Sequence, residues 1–179
     1  AWSEWTSIPT AAVAAVHGGQ LAEDVSGVNV SRNPDNTINL PPDIAPGAVS
    51  MPVGIVYDAD GSVTDALLGT GAGSSEACFG NAVFGGVDNF STDGHFVHAL
   101  VVLNGNCVQD SSELPDVKYR LVRILGRVLG LDWSQLNLNV ITGPKPAADY
   151  YNGFPVMHAL DSGNCVPITV CYSNAGLTN

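Results

Sequence analysis

The clearest helical pattern in the chain covers residues 119–135, which read YRLVRILGRVLGLDWSQ. Apolar residues recur at intervals of three and four and fall on one helical face, while three arginines line another. Gly130 favours a left-handed C-cap. At the other end, Ser111, Ser112 or Asp116 is expected to cap the helix start, and Pro115 suits its first turn. The apolar positions are Leu121, Val122, Ile124, Leu125, Val128 and Leu129, and the arginines are Arg120, Arg123 and Arg127.

Two apolar segments have the pattern of strands. Val53–Tyr57 is β-branched and ends at the polar turn Asp58-Ala59-Asp60-Gly61, and Ala99–Leu103 ends at Asn104-Gly105. Both are predicted strands. The sequence is interpreted as opening with a strand, formed by Trp2, Trp5 and Ile8 and the apolar residues Ala11–Val16 that follow them. Proline and polar residues predict a loop over Ser31–Ser50, and glycine predicts surface loops at Gly69–Gly73 and Gly80–Gly86.

Composition places the chain among globular proteins. Its 179 residues are 45% hydrophobic and 13% charged, which predicts one domain over residues 1–179. The formal net charge of -11 argues against nucleic acid as a partner, since phosphate binding needs a basic surface. No run of about 18 apolar residues is present, so we expect no membrane span.

The helical stretch resembles the zinc-binding helix of secreted metzincin proteases, the matrixin branch especially. That helix reads His-Glu-Leu-Gly-His-x-Leu-Gly-Leu-x-His-Ser, and here Leu125-Gly126, Leu129-Gly130-Leu131 and Ser134 fall in step with it. The family's two helical histidines are replaced by Arg123 and Arg127, its general-base glutamate by Ile124, and its third histidine by Trp133.

These replacements remove the chemistry that the resemblance would imply. A zinc ligand must offer a lone pair, and the guanidinium of arginine has none. Two positive charges one helical turn apart would also repel a divalent cation. Neither Ile124 nor Trp133 can activate water as a base. We therefore expect a pseudoenzyme with no zinc and no peptide hydrolysis by the family's mechanism.

Two further segments are similar to matrixin motifs. Thr92–Leu103 resembles the Asp-Gly-x-x-x-His-Ala segment, in which His98 matches a structural zinc ligand, although a packed or surface histidine pair with His95 is the preferred interpretation. Met157 matches the methionine of the Met-turn. The resemblance covers residues 53–160, followed by a tail strand or extension over 161–179. It implies an α/β (α+β) fold: a twisted mixed sheet packed on a central helix, then a loop-rich lower part.

The arginines that replace the zinc ligands need partners. An unpaired buried guanidinium is costly, so we expect an internal carboxylate, with Asp132, Asp88 and Asp93 as candidates. The alternative is that the stripe of Arg120, Arg123 and Arg127 binds an external anion or protein.

Four cysteines favour a secreted protein with two disulfides, preferably Cys78 with Cys107 and Cys165 with Cys171, among three possible pairings. The start at Ala1 is interpreted as that of a mature or processed product. Asn29 and Asn89 begin N-glycosylation sequons.

The turn after the first predicted strand holds a candidate calcium loop. Asp58, Asp60 and Asp65 flank Gly61, and alternating carboxylates around a glycine can wrap Ca²⁺. A plain turn is the preferred interpretation, because the bidentate glutamate of an EF-hand is absent. No other cofactor and no small-molecule substrate are predicted.

The sequence therefore predicts a secreted, non-catalytic protein with a structural or binding role in an extracellular filament, surface layer or matrix. Self-association or binding to another extracellular protein would use exposed Trp2 and Trp5 or the tail Val166–Tyr172. A metalloprotease with relocated ligands is the competing enzyme hypothesis, and its candidate ligands are His17, His95, His98 and His158.

Overall fold

The computed structural model describes residues 1–9, 12–131 and 157. The chain is mixed α and β, and it divides into two compact units. One unit comprises Ala1–Ala14 with Ser112–Asn179, and the other comprises Ala15–Ser111. Each unit has its own hydrophobic core.

The unit Ala15–Ser111, called the central unit below because it is central in the sequence, contains both described sheets. Strands β1 (Ser31–Arg32) and β2 (Ile38–Asn39) form a short antiparallel pair. A mixed three-stranded sheet has the order β3-β5-β4, with β3 parallel and β4 antiparallel to β5. Its strands are β3 (Val53–Asp58), β4 (Val83–Phe90) and β5 (Phe96–Asn104). The two predicted strands, β3 and β5, are thus confirmed. Strand β3 extends to Asp58, and β5 begins earlier than predicted, at Phe96, and ends at Asn104.

The buried hydrophobic cluster of the central unit includes side chains from one face of the mixed sheet. Val56 and its β5 neighbours Leu100 and Val102 pack with Val63 of helix α2 (Ser62–Leu68). Residues of the long preceding loops complete this core, namely Val25, Val30 and Ile44. Alternate side chains of β3 face away, so Ile55 and Tyr57 are exposed. The segment is therefore buried on one face only.

The prediction of a surface loop at Gly80–Gly86 is wrong. Gly80 lies in the short helix α3 (Cys78–Asn81), and Gly85 and Gly86 lie inside β4. At Gly85, φ is 128° and an added Cβ would lie 2.0 Å from the carbonyl oxygen of Leu100. Glycine is needed there because the neighbouring strand approaches too closely for a side chain.

A disulfide joins Cys78 to Cys107, as predicted. It connects the start of α3 to the 3₁₀ turn Gly105–Cys107 after β5. The sequence separation of 29 residues corresponds to a stabilisation of about 3.5 kcal/mol in the chain-entropy model. Cys165 and Cys171 lie outside the described residues.

The other unit is built on helix α4 (Leu114–Val128), which follows a 3₁₀ turn over Ser111–Glu113. Pro115 lies in its first turn, as expected. The N-cap is Glu113, and its side chain makes no capping hydrogen bond, so the expected serine or aspartate cap is wrong. At the other end, Gly130 has φ of 82°, and the N–H groups of Gly130 and Leu131 bond the carbonyls of Arg127 and Gly126. This is a Schellman C-cap, as the glycine predicts.

The opening strand is also wrong, because Trp2–Thr6 forms helix α1. Trp2 and Trp5 are three residues apart, which places them on the same side of a helix but on opposite faces of a strand. Trp5 is buried in a cluster with Tyr119, Val122, Leu125 and Met157, while Trp2 packs against that cluster. Trp5 is therefore not an exposed contact residue.

Candidate functional site

The three positions of α4 that match two zinc ligands and the general base of the metzincin motif lie in different environments. Arg123 is buried, with 9% of its surface exposed, whereas Ile124 is half-buried and Arg127 is exposed. Trp133, the fourth position, lies outside the described residues. Arg123, Ile124 and Arg127 are close together because they lie within about one turn of the same helix. None of their side chains offers a metal ion a lone pair.

Arg123 stacks on an aromatic ring one turn earlier in the same helix. The guanidinium carbon lies 5.5 Å from the ring centroid of Tyr119, and Nη1 donates a hydrogen bond to the tyrosine hydroxyl at 3.3 Å. A cation near the face of an aromatic ring is attracted by the ring quadrupole, more strongly where water is excluded. The spacing of four residues allows this contact. Tyr119 was not among the predicted partners of Arg123, although the spacing of four residues is visible in the sequence.

The remaining arginines do not share that environment. Nε of Arg120 donates to both carboxylate oxygens of Asp116, at 2.8 and 3.0 Å, which is a partly buried i,i+4 ion pair within the helix. Arg127 is exposed in the last turn, where a positive charge is favourable near the C-terminus of the helix. The arginines therefore form no uniform exposed stripe, since Arg123 is buried and Arg120 is paired.

Two of the three carboxylates expected to pair with the arginines bond histidines. Asp88 Oδ1 lies 2.7 Å from Nδ1 of His98, and Asp93 Oδ2 lies 2.9 Å from Nδ1 of His95. The first pair depends on a bulge in β4, because the register with β5 shifts between Val87 and Asn89. A bulge adds an unpaired residue and redirects its side chain. Asp132, the third candidate, lies outside the described residues.

The histidines of the relocated-ligand hypothesis have separate surroundings. His98 is fully buried and its Nε2 has no hydrogen-bond partner among the residues that the structure describes, whereas His95 and His17 are exposed. His158 lies outside the described residues. Within the described part of the chain, no group of three or more His, Cys, Asp or Glu side chains is placed to hold a metal ion.

The three candidate calcium ligands, Asp58, Asp60 and Asp65, each accept hydrogen bonds from different backbone N–H groups. The carboxylate of Asp58 is buried and accepts from Val63 N, Thr64 N and Thr64 Oγ1 at 3.2, 2.7 and 2.6 Å. It thereby satisfies N–H groups at the start of α2. Asp60 accepts from Ser62 N at 3.0 Å, and Asp65 accepts from Gly73 N at 2.7 Å. Hydrogen bonds from the hydroxyl and backbone of Ser62 lower the pKa of Asp60.

Met157 occupies a closely packed position against α4. An added Cβ at Gly126 would lie 2.6 Å from the Sδ atom of Met157 and equally close to Cζ2 of Trp5. Met157 itself is buried. The absence of a side chain at Gly126 therefore lets the methionine and the indole approach the helix backbone. Two of the predicted motif positions, Gly126 and Met157, are therefore in close contact.

No protein-family model, curated protein or solved structure gives a significant match to this chain. Among the described residues, no helix is long and apolar enough to cross a membrane.

Proposed function

We propose that this chain is a secreted, non-catalytic domain related to the metzincins, in which the former zinc helix has become a structural element. The observation that carries this proposal is the burial of Arg123 against Tyr119 at the position of the first helical zinc ligand. A guanidinium at that position supplies hydrogen-bond donors and no electron pair.

The packing around α4 supports a structural role. Trp5, Tyr119, Val122, Leu125 and Met157 form one buried cluster on this helix. In the proposed relationship, Gly126 is the glycine of the zinc-binding motif and Met157 is the methionine of the Met-turn. The close approach of Met157 to Gly126 is compatible with a fold that keeps this framework and replaces the metal by side-chain packing.

The proposed biological role is that of a building or binding subunit in an extracellular assembly. The disulfide Cys78–Cys107 supports an oxidising compartment, where such bonds persist. The formal net charge of -11 suits a partner other than nucleic acid. Self-association or binding of another extracellular protein is the role that we propose for a domain without catalytic side chains at the motif positions of α4.

Metal analysis of the purified protein, with its mass distribution in solution, tests this proposal. We expect substoichiometric zinc, no chelator-sensitive cleavage of a denatured protein, and assemblies larger than one chain. Zinc near one equivalent, together with chelator-sensitive cleavage, would overturn the non-catalytic proposal. A zinc-free protein that stays monomeric at all concentrations would overturn self-association.

A pair of arginine variants separates the structural role from anion binding. Arg123→Ala should lower the free energy of unfolding by about 1–3 kcal/mol, because it removes a buried contact and hydrogen bond. Arg127→Ala is the comparison variant at an exposed position of α4 and should lower stability less than Arg123→Ala does, because less surface is removed from the core. Equal small effects of both variants, with loss of binding to an anionic resin, would favour an anion-binding module instead.

A further inference from the structure

Residues 12–17, called the linker segment below, are unusually accessible. They read Ala-Val-Ala-Ala-Val-His, have no regular secondary structure, and are exposed except for the half-buried Val13. Val16 is 92% exposed. No backbone–backbone hydrogen bond joins this segment to any other described residue. A protease could therefore bind it in an extended form without first unfolding the domain.

The chain is anchored on both sides of the linker segment. Upstream, Trp5 is buried and its indole N–H bonds the carbonyl of Val122. Downstream, an added Cβ at Gly18 would lie 3.5 Å from Met51, and the N–H of Ala22 bonds the carboxylate of Asp43 at 2.7 Å. The boundary between the two compact units falls between Ala14 and Ala15, inside this segment.

We propose that the linker segment is a proteolytic processing site for an endopeptidase that prefers small aliphatic side chains, such as an elastase-type serine protease. Its alanines and valines suit a shallow specificity pocket, and it contains no lysine or arginine. Cleavage would consume one water, breaking one peptide C–N bond and leaving a new carboxylate and a new amine. The helix α1 fragment stays bound to α4 after cleavage.

Retention of that fragment follows from contacts that do not cross the linker segment. Besides the Trp5 hydrogen bond, Glu4 pairs with Lys118 at 2.9 Å. Ala1, Trp2 and Ile8 pack against the cluster on α4. Trp5 is the buried aromatic side chain of this fragment, so it provides the main part of the attachment.

Limited digestion of the folded protein with pancreatic elastase tests the site. Intact mass analysis should show a first cut within residues 12–17, with both products in one peak on size-exclusion chromatography. Trp5→Ala should be cut at the same place but lose the fragment. A first cut elsewhere, resistance to elastase, or equal fragment loss from both proteins would overturn the proposal.

A second comparison does not depend on the specificity of elastase. Ala15→Lys places a trypsin site in the linker segment, and Ile55→Lys places one at a half-exposed position of β3. Trypsin should cut at the new lysine at least tenfold faster in the first variant. Equal rates at the two new sites would show that the segment is no more accessible than a strand and would overturn the proposal.

Discussion

The indole N–H of Trp5 donates a hydrogen bond to the backbone carbonyl of Val122, 2.9 Å away and 117 residues later in the sequence. The indole is buried and lies over Gly126. A five-residue helix is too short to be stable by itself in water. The contact with α4 therefore holds α1 in place, and residues near the start of the chain belong to the same core as α4.

Replacing Trp5 by phenylalanine should destabilise the protein by about 1–3 kcal/mol, because it removes the hydrogen bond and part of the buried ring. Denaturant unfolding followed by circular dichroism measures this change. Trp2→Phe is the matched control, since Nε1 of Trp2 is buried without an acceptor in the described part of the chain. If Trp2→Phe costs as much as Trp5→Phe, the hydrogen bond to Val122 contributes nothing specific.

Gly126→Ala should reverse the usual effect of this substitution. Alanine is about 1 kcal/mol better than glycine inside a helix. Here, however, the new methyl group would lie 2.6 Å from Met157 and Trp5, and such overpacking costs about 1–3 kcal/mol or more. We expect a net loss of stability in thermal unfolding. Gly47→Ala is the control, because nothing lies within 4 Å of its added Cβ. A stabilised Gly126→Ala protein would show that the close packing is absent.

Asp58→Asn should destabilise the central unit by about 2–3 kcal/mol. The buried carboxylate accepts three hydrogen bonds at the start of α2, and an amide nitrogen cannot accept in place of an oxygen. Asp60→Asn alters an exposed side chain and should cost much less. Hydrogen exchange at Thr64 N measures the local effect.

Adding calcium to both variants and the parent protein also tests the calcium hypothesis, because a bound ion would raise the melting temperature of the parent alone.

The turn at residues 91–95 should loosen in acid. Hydrogen bonds from Ser91 and then from His95 lower the pKa of Asp93 from its ordinary value of 3.8. The contribution of this carboxylate to stability is present above the ordinary value and is lost as the pH falls through the lower, folded pKa. An NMR titration of the Asp93 side chain should show a midpoint below 3.8. Ser91→Ala should raise that midpoint, and an unchanged midpoint would contradict the assigned cause.

Sequence reasoning located the elements whose patterns are local. Strands β3 and β5 were visible as apolar β-branched runs, and α4 was visible through its helical spacing and Gly130. Pro115 and the disulfide Cys78–Cys107 were also placed correctly. In each case the signal lies in residue type and short spacing, which do not require knowledge of distant neighbours.

The incorrect predictions concern residues whose structure depends on contacts with residues distant in the sequence. Helix α1 is stabilised by α4, which lies over a hundred residues later. Gly85 belongs to a strand because the carbonyl of Leu100 approaches it, and composition alone indicated a loop. Asp88 meets His98 through a bulge that no local pattern predicts. At the candidate site, residue identity was enough to show that Arg123, Ile124 and Arg127 cannot bind a metal ion, but the contact of Arg123 with Tyr119 needed the structure.

The most direct test of the proposed relationship restores the zinc ligands. The variant combines Arg123→His, Ile124→Glu, Arg127→His and Trp133→His, and zinc is measured by elemental analysis and calorimetric titration beside the parent protein. We expect about one zinc per chain in the variant and none in the parent, because the restored side chains supply three imidazole ligands. A folded variant that binds no zinc, or a parent that binds one equivalent, would contradict the proposal that this helix is a metzincin zinc helix without its ligands.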